Sequence, residues 1–169
     1  MLYLSPTGPI FISPLSFFLI LCAKYLIIVP LLILGGYFLL RPRSEWKQMA
    51  LFAVPALILT YLLGKIGSFL YFDARPFVVD HFIPLIMHAA DNGFPSDHTL
   101  LAAGLAAVGM YWNKKLGIVL WALAALIAVA RVYVGVHHPI DVIGSAVIAL
   151  IAVAGWRAYM TAAKPMQKN

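Results

Sequence analysis

Two short segments of the chain concentrate side chains that can attack an electrophile or move a proton. In the first, His137-His138-Pro139-Ile140-Asp141, two imidazoles are followed by a carboxylate. Pro139 suits the first position of a helix, where its missing N–H needs no partner, so Asp141 can reach back one turn toward His137 or His138. An Asp that holds one imidazole nitrogen leaves the other free to attack or to accept a proton. The segment predicts a catalytic imidazole, and the alternative is a helix cap with a passive histidine.

The second segment is Phe94-Pro95-Ser96-Asp97-His98-Thr99. Ser96 is a favourable N-cap for a helix that begins there, which places His98 in the first turn. The free N–H groups and the positive dipole end of such a helix favour an anion such as phosphate. The Asp97 carboxylate would repel that anion unless it points away or is paired. Plain capping without a ligand is the alternative for this segment.

Two arginines and a lysine accompany these segments. Arg75 precedes Pro76, which disfavours helical geometry and is expected to close a helix there, and Arg131 follows a long apolar run. Each guanidinium offers a fork of donors that suits phosphate oxygens, although a single arginine could also snorkel at a membrane edge. Lys65 adds a cation that we expect to face the interior of a helical bundle. Two arginines beside an Asp-held imidazole indicate phosphoryl transfer through a histidine nucleophile.

The composition places these segments in a membrane protein. Hydrophobic residues make up 63% of the 169 residues and charged residues 11%, against about 45–50% and about 25% in soluble domains. A soluble domain of this size could not bury so much apolar surface, so a soluble nucleic-acid binder is disfavoured despite the net charge of +6. The high hydrophobic fraction also excludes a disordered chain. The single cysteine, Cys22, excludes an internal disulfide and a cysteine-rich metal site. We expect one membrane-embedded domain over residues 1–169.

Five apolar runs are long enough, or nearly so, to cross a bilayer, which requires about 20 residues. The third run is short, at roughly 25 Å of helix. Residues 1–14 contain several prolines, so we expect an interfacial segment there rather than a span or a cleaved signal. The prediction is an all-α membrane bundle of five transmembrane helices plus this N-terminal segment. The predicted spans are Leu15–Leu40, Gln48–Phe72, Ser96–Trp112, Leu116–Val134 and Pro139–Tyr159.

Charged residues are divided unequally between the two faces that five crossings would create. Eight of the twelve Lys and Arg residues lie on one face, which the positive-inside rule assigns to the cytoplasm. Five of the six acids and all five histidines lie on the other face, together with Arg75 and Arg131. Ionisable groups at a membrane boundary mark functional sites by default. We therefore expect a site on the outer face, and the alternative is a set of polar residues that only wet an external loop.

At these residues the sequence resembles the type 2 phosphatidic acid phosphatase superfamily of membrane lipid phosphatases, which carries three ordered motifs. The second motif, Pro-Ser-Gly-His, reads Pro95-Ser96-Asp97-His98 here. The third, Ser-Arg-x5-His-x3-Asp, reads Ala130-Arg131-x5-His137-x3-Asp141. The first, Lys-x6-Arg-Pro, matches in Arg75-Pro76, with Ser68 at the lysine position and Lys65 one helical turn earlier. Aspartate in the glycine position of the second motif resembles the bacitracin-resistance branch, the bacterial undecaprenyl pyrophosphate phosphatases.

The resemblance implies a role for each motif residue. His137 would be the nucleophile that forms a phosphohistidine, His98 the general acid that protonates the leaving group, and Asp141 the residue that orients His137. Several further side chains would surround the phosphoryl group, and no metal or other cofactor would be needed. The expected phosphate-binding residues are Arg75, Ser96, Asp97, Arg131 and Lys65.

The function implied is hydrolysis of the terminal phosphate of a polyprenyl diphosphate at the outer face of the bacterial plasma membrane. The expected partners are that lipid and the bilayer, with no nucleic acid. One alternative is another lipid phosphate, such as phosphatidylglycerol phosphate or phosphatidic acid. Another is a small transporter with a proton or metal path, and a third is a zinc site. The zinc ligands would come from His81, His88, His98, His137 and Asp141.

Overall fold

The computed structural model describes residues 13–163, which form α-helices joined by turns, with one isolated antiparallel bridge between Ala74 and Asn92. Residues 1–12, which make up most of the predicted N-terminal segment, and residues 164–169 lie outside the described part. The helices are α1 (Pro14–Tyr25), α2 (Ile28–Leu39), α3 (Arg43–Leu70), α4 (Pro76–Val79), α5 (Asp97–Trp112), α6 (Lys114–Tyr133) and α7 (Pro139–Ala162).

The helices have the length and the surface of a membrane bundle. Three of them, α3, α6 and α7, are long and apolar enough to cross a bilayer, and α1 with α2 passes the same test as a pair bent by 51°. The helix α5 has 16 residues, which is short for a full crossing. The described residues therefore confirm a helical membrane protein with three or four such spans, whereas helix length and composition do not establish the predicted count of five. Large apolar side chains cover the outside of the bundle, among them Phe17, Leu32, Ile58, Val129 and Ile151.

The first predicted span, Leu15–Leu40, consists of two helices rather than one. The first helix ends at Tyr25 and the second begins at Ile28. Pro30 lies four residues after Leu26, and a proline at that distance has no N–H to donate and crowds the earlier carbonyl. The break leaves carbonyl groups in the last turn of α1 free for partners outside the helix.

The second predicted span also has different ends. It was expected at Gln48–Phe72, but α3 begins at Arg43 and ends at Leu70. Arg75-Pro76 therefore does not close this helix. Arg75 instead caps the short helix α4, with an extended backbone at ψ 149°, as expected of a residue before proline.

The helix α5 lies at the centre of the bundle, where it packs against α2, α3, α6 and α7. Its middle consists mostly of alanine and glycine. Ten of the eleven positions from Thr99 to Gly109 are buried, and Leu101 is the exception. Small side chains let neighbouring backbones approach closely, which favours helix association in lipid. The first turn of α5 is therefore held against the neighbouring helices rather than against lipid.

The connection from α5 to α6 is very short. Asn113 ends α5 and also caps α6, because its side-chain oxygen accepts the N–H of Leu116 at 3.1 Å. This turn presses Gly117 against Met110, and a Cβ atom built on Gly117 would fall on the Met110 backbone. Only glycine fits this crossing without moving the two helices apart.

We predict that Gly117→Ala lowers the melting temperature of the purified protein in detergent, because backbone atoms cannot move aside as the end of a side chain can. The expected loss is about 1–3 kcal/mol of unfolding free energy. Gly155→Ala in α7 is the matched control, since a Cβ there meets nothing within 4 Å, and alanine favours a helix over glycine. An unchanged melting temperature in Gly117→Ala would contradict the packing described here.

Candidate active site

The imidazole of His137, in the turn between α6 and α7, has a different partner at each nitrogen. Nδ1 lies 3.2 Å from Oδ2 of Asp141, which can only accept, so Nδ1 carries the proton. Nε2 lies 3.4 Å from an Nη of Arg75 and 3.3 Å from an Nη of Arg131, and guanidinium groups only donate. The network therefore selects the neutral tautomer with its lone pair on Nε2. His137 is 2% exposed and Asp141 is fully buried.

The local sequence produces this arrangement through the start of α7. Pro139 is the first residue of the helix and His138 is its N-cap. The His138 N–H donates to Oδ2 of Asp141 at 2.9 Å, the same oxygen that faces the ring of His137. Asp141 therefore reaches back one turn, as expected, and contacts both histidines. It faces the ring of His137 and accepts the backbone N–H of His138.

Arg75 is held by three acceptors in addition to His137. Its guanidinium donates to Asp91 at 2.8 Å, to the carbonyl of Val136 at 2.8 Å and to the carbonyl of Asn92 at 3.2 Å. Only 5% of the residue is exposed. A charge buried to this degree requires such partners, and they fix the direction in which the guanidinium points.

Arg131, in the last turn of α6, is held differently. It donates to the carbonyl of Ala23 at 3.3 Å, in the last turn of α1, where the helix break frees carbonyl groups. Among residues 13–163, the buried Nε of Arg131 and Oδ1 of Asp141 have no hydrogen-bond partner. Arg131 is 3% exposed, and one of its Nη groups lies beside Nε2 of His137, an arrangement that suits an anion at that nitrogen.

A network of hydroxyl groups joins the first turn of α5 to the first turn of α7. Ser145 donates to the carbonyl of Asp141 at 2.7 Å and to the carbonyl of Ser96 at 3.0 Å. The Ser96 N–H also donates to the Asp141 carbonyl, at 3.4 Å, and Thr99 donates to the Ser96 hydroxyl at 3.2 Å. Ser96 is the N-cap of α5, as predicted, but its hydroxyl oxygen accepts from Thr99 rather than from a backbone N–H of the helix. The hydroxyl hydrogen of Ser96 has no acceptor among the described residues.

The structure places His98 near this cluster and Lys65 at its margin. His98 is half-buried in the first turn of α5 and within electrostatic range of Arg131 and His137. Asp97 is exposed and pairs with Lys65 at 3.9 Å. The expectation that Lys65 faces the bundle interior is wrong, because its side chain is 53% exposed and lies over the ring of Tyr61.

The sequence assigns several residues at the site no role in phosphate binding or catalysis, and it predicts His88 only as an alternative zinc ligand. His88 lies with its ring 6.2 Å from that of His137, and its Nδ1 is 3.8 Å from Asp91. Burial lowers the pKa of His88, as does the charge of Arg75. The Asn92 side chain joins the end of α3 to the loop before α5, through bonds to Ser68, Tyr71, Asp73 and Phe94. Partners so far apart in the chain leave no signal in local spacing.

The predicted zinc ligands are not gathered into one group in the described part of the chain. His81 is exposed and has a positive φ of 53°. The group whose donor atoms could share an ion is a different one, Asp73, His138 and Asp141, with these atoms within 4.8 Å of one another. Two of its members already hydrogen-bond each other, since Nδ1 of His138 lies 2.8 Å from Oδ2 of Asp73.

A family model described as the PAP2 superfamily matches residues 49–165. This range contains the two arginines, both histidine segments and the buried carboxylate. The chain belongs to the PAP2 superfamily. The resemblance stated from the three motifs is thereby confirmed. The PAP2 match leaves out α1, although the Ala23 carbonyl of that helix holds one of the two site arginines.

Two curated relatives and one solved structure are similar to the chain. It is 34% identical over 142 residues to undecaprenyl-diphosphatase BcrC of Bacillus subtilis (strain 168), a match that covers 82% of this chain and 72% of the relative. It is 32% identical to the bacitracin transport permease protein BcrC of Bacillus licheniformis, over 83% and 68% of the two chains. The crystal structure of Aquifex aeolicus LpxE superposes with a TM-score of 0.70 at 26% identity, and the match covers 87% of this chain and 88% of that one.

The surroundings of His137 predict its protonation behaviour. Burial lowers the pKa of His137, and the charges of Arg131 and Arg75 lower it further, whereas the hydrogen bond and charge of Asp141 act in the opposite direction. The net effect is a lowered pKa, so the ring is neutral at neutral pH.

We predict that Asp141→Asn lowers the pKa of His137 further, because it removes a negative charge, and that Arg131→Gln raises it, because it removes a positive one. NMR titration of histidine-labelled protein in micelles measures both shifts, with the His137 signal assigned from His137→Ala. Arg157→Gln, a change at the Tyr111 end of the bundle, is the control and should leave the pKa unchanged. Shifts of the same sign in Asp141→Asn and Arg131→Gln would be inconsistent with this geometry.

Proposed function

We propose that the protein hydrolyses undecaprenyl diphosphate to undecaprenyl phosphate and inorganic phosphate at the outer face of the bacterial plasma membrane. The observation that carries the proposal is the His137 ring, whose Nε2 faces two guanidinium groups while its Nδ1 faces a buried carboxylate. The name of the Bacillus subtilis relative supports the choice of substrate. The reaction would recycle a carrier lipid for cell-wall synthesis and contribute to bacitracin resistance.

In the proposed reaction, Nε2 of His137 attacks the terminal phosphorus and the bond from phosphorus to the bridging oxygen breaks. His98 gives a proton to that oxygen, so that undecaprenyl phosphate leaves. Asp141 stabilises the positive imidazole ring of the phosphohistidine through the Nδ1 proton. Water then attacks the phosphorus, and His98 accepts a proton from this water and so returns to its protonated form. The phosphorus–nitrogen bond breaks to release inorganic phosphate.

The remaining site residues would bind the transferred group. Arg75 and Arg131 already flank Nε2, so their guanidinium groups would meet the phosphoryl oxygens on two sides. The free hydroxyl hydrogen of Ser96 can add a further donor. We assign Asp97 and Lys65 to the margin of the phosphate site, because they are exposed and paired with each other. These donors supply positive charge where the transition state spreads negative charge, and our proposal assigns no step to a metal.

The proposed topology has five crossings, with α1 and α2 forming the first and the short α5 the third. The clustering of Lys and Arg in the loops opposite the site supports an outward-facing site. Because α5 is short and surrounded by protein, its first turn would lie slightly below the lipid surface. A polyprenyl tail could then remain in the bilayer while its head group reaches His98 and His137.

The transporter alternative requires ionisable residues deep in several spans. The buried ionisable groups described here instead lie at one end of α6 and α7, around His137. One relative carries the name of a bacitracin transport permease, so transport is an outcome to be measured rather than assumed. The clustering at one end favours hydrolysis.

We predict that the purified protein releases phosphate from undecaprenyl diphosphate and that His137→Ala loses this activity by at least about a thousandfold, because the nucleophile is removed. His98→Ala should lower kcat by about 10²- to 10⁴-fold, as expected for loss of a general acid. His81→Ala, a change at an exposed histidine in the loop between α4 and α5, should keep wild-type activity.

Four results would contradict the proposal. Full activity of His137→Ala would exclude His137 as the nucleophile. Loss of activity with a chelator would indicate that the reaction requires a metal ion. If phosphatidylglycerol phosphate or phosphatidic acid were hydrolysed faster than undecaprenyl diphosphate in a substrate panel, that lipid would be the substrate instead. Cysteine labelling that places positions 98 and 137 on opposite sides of the membrane would exclude a shared site.

A further inference from the structure

A second carboxylate–imidazole pair lies directly beside the first. Nδ1 of His138 is 2.8 Å from Oδ2 of Asp73, a contact between residues 65 positions apart. The side chains of His138 and Asp73 are 31% and 19% exposed, so water reaches them only in part. The proposed reaction gives neither residue a role.

The pair lies on one side of His137, and a second anchor lies on the other side. Arg75 donates to the carbonyl of Val136 at 2.8 Å, and Asp73 accepts from the ring of His138. The residues immediately before and after His137 are therefore both fastened to the segment 73–75. Gly135 in the same turn has a positive φ of 82°, a conformation that glycine adopts without strain.

Hydrogen bonds at both backbone groups of Asp73 hold this residue in place. Its N–H donates to the Asn92 side chain at 2.9 Å, and its carbonyl accepts the N–H of Gly93 at 2.8 Å. A Cβ atom on Gly93 would lie 2.9 Å from Oδ2 of Asp141 and 3.1 Å from the Asp73 carbonyl. The absence of a side chain at Gly93 thus lets the Asp73 loop approach the start of α7 closely enough to reach His138.

The position of His138 in turn determines the position of Asp141. The His138 N–H donates to Oδ2 of Asp141 at 2.9 Å, and the same oxygen faces Nδ1 of His137 at 3.2 Å. If the backbone of His138 rotated, this oxygen would lose one of its two donors and the ring of His137 would lose its alignment. A misplacement of about 1 Å can cost about a hundredfold in rate.

We propose that Asp73 and His138 form a positioning pair that holds Asp141 and His137 in line with the guanidinium groups of Arg75 and Arg131. The inference rests on the proposed function, because it assigns the pair a role in the same phosphoryl transfer. The pair touches neither the phosphoryl group nor Nε2 of His137. It keeps the nucleophile and Arg75, which lie on separate segments, at a constant distance from one another.

The test compares variants that keep or remove the hydrogen bond. His138→Asn retains an N–H near the place of the ring Nδ1, whereas His138→Leu has no donor. Asp73→Asn retains a carbonyl acceptor without the charge, whereas Asp73→Ala has no acceptor. Asp80→Asn and His81→Asn, at exposed positions of the same loop, are matched controls with the same changes of side chain.

We expect His138→Leu and Asp73→Ala to lower kcat by about tenfold to a hundredfold with little change in KM, because alignment is lost while phosphate binding remains. His138→Asn and Asp73→Asn should recover most of the activity. The double variant Asp73→Ala/His138→Leu should be no worse than either single variant, since the two residues act as a unit. The melting temperature in detergent identifies any variant that fails to fold, and the two asparagine variants then decide the question.

Orthovanadate affinity gives a readout that does not depend on the lipid. Vanadate takes the five-coordinate geometry of the transition state when a nucleophile adds to it, so its affinity should fall in parallel with kcat, while the affinity for inorganic phosphate should hold. If the wild-type protein does not hydrolyse undecaprenyl diphosphate, the proposed substrate fails. The pair would still be supported by a loss of vanadate affinity in His138→Leu that His138→Asn restores.

Several outcomes would overturn the inference. Wild-type kcat and vanadate affinity in His138→Leu would show that the contact does not align the site. Equal losses in His138→Asn and His138→Leu would show that the hydrogen bond is not what matters. A chelator that lowers the activity of the wild type but not of Asp73→Ala would show that Asp73, His138 and Asp141 hold a cation instead.

Discussion

The structure around the site depends on the burial of two guanidinium groups against one imidazole nitrogen. Arg75 and Arg131 both approach Nε2 of His137, although they carry the same charge and are almost fully buried. Removing a charge from water costs several kcal/mol unless partners compensate it. The bundle therefore has to supply acceptors to each arginine separately, without placing a carboxylate in the space that a phosphate would occupy.

The two arginines receive different acceptors. Arg75 is partly neutralised by the Asp91 carboxylate and is further held by backbone carbonyls. Arg131 donates to the Ala23 carbonyl, which satisfies one of its N–H groups but does not neutralise the positive charge of the guanidinium. The positive charge that remains is concentrated on the α6 side of His137, where an anionic substrate would gain most from binding. The asymmetry also gives α1 a role at the site, although this helix lies outside the PAP2 match.

The backbone supplies rigidity where the side chains must be exact in position. The first turn of α5 and the first turn of α7 share Ser145, which bonds to a carbonyl of each. The segment 73–75 is tied to the turn that carries His137 at two points, one on each side of the nucleophile. The site is thus assembled from the ends of α5, α6 and α7 and from the loop segment 73–75, with the alanine- and glycine-rich α5 in the middle of the bundle. A membrane bundle can arrange such ends precisely enough for phosphoryl transfer because its helices are stiff and closely packed.

Much of this protein could be predicted from short stretches of sequence. The apolar runs indicated the helices, and the Pro139 start with Asp141 three positions after the N-cap indicated the contact with the histidines, because helix geometry brings such neighbours together whatever surrounds them. The broken first span was less predictable: Pro30 accompanies the break between α1 and α2, yet Pro55 lies inside the continuous helix α3. A proline lowers the stability of a helix locally, and packing decides whether the helix bends.

Local spacing alone did not determine which of the two histidines would face the arginines, nor that Lys65 would lie outside. Those outcomes depend on contacts across long separations, such as Arg131 with Ala23 and His138 with Asp73, 108 and 65 residues apart. Sequence spacing encodes what one helix turn can bring together, because its geometry is constant. The close packing of the whole bundle decides which helix ends and loops meet, and only the tertiary structure shows that packing.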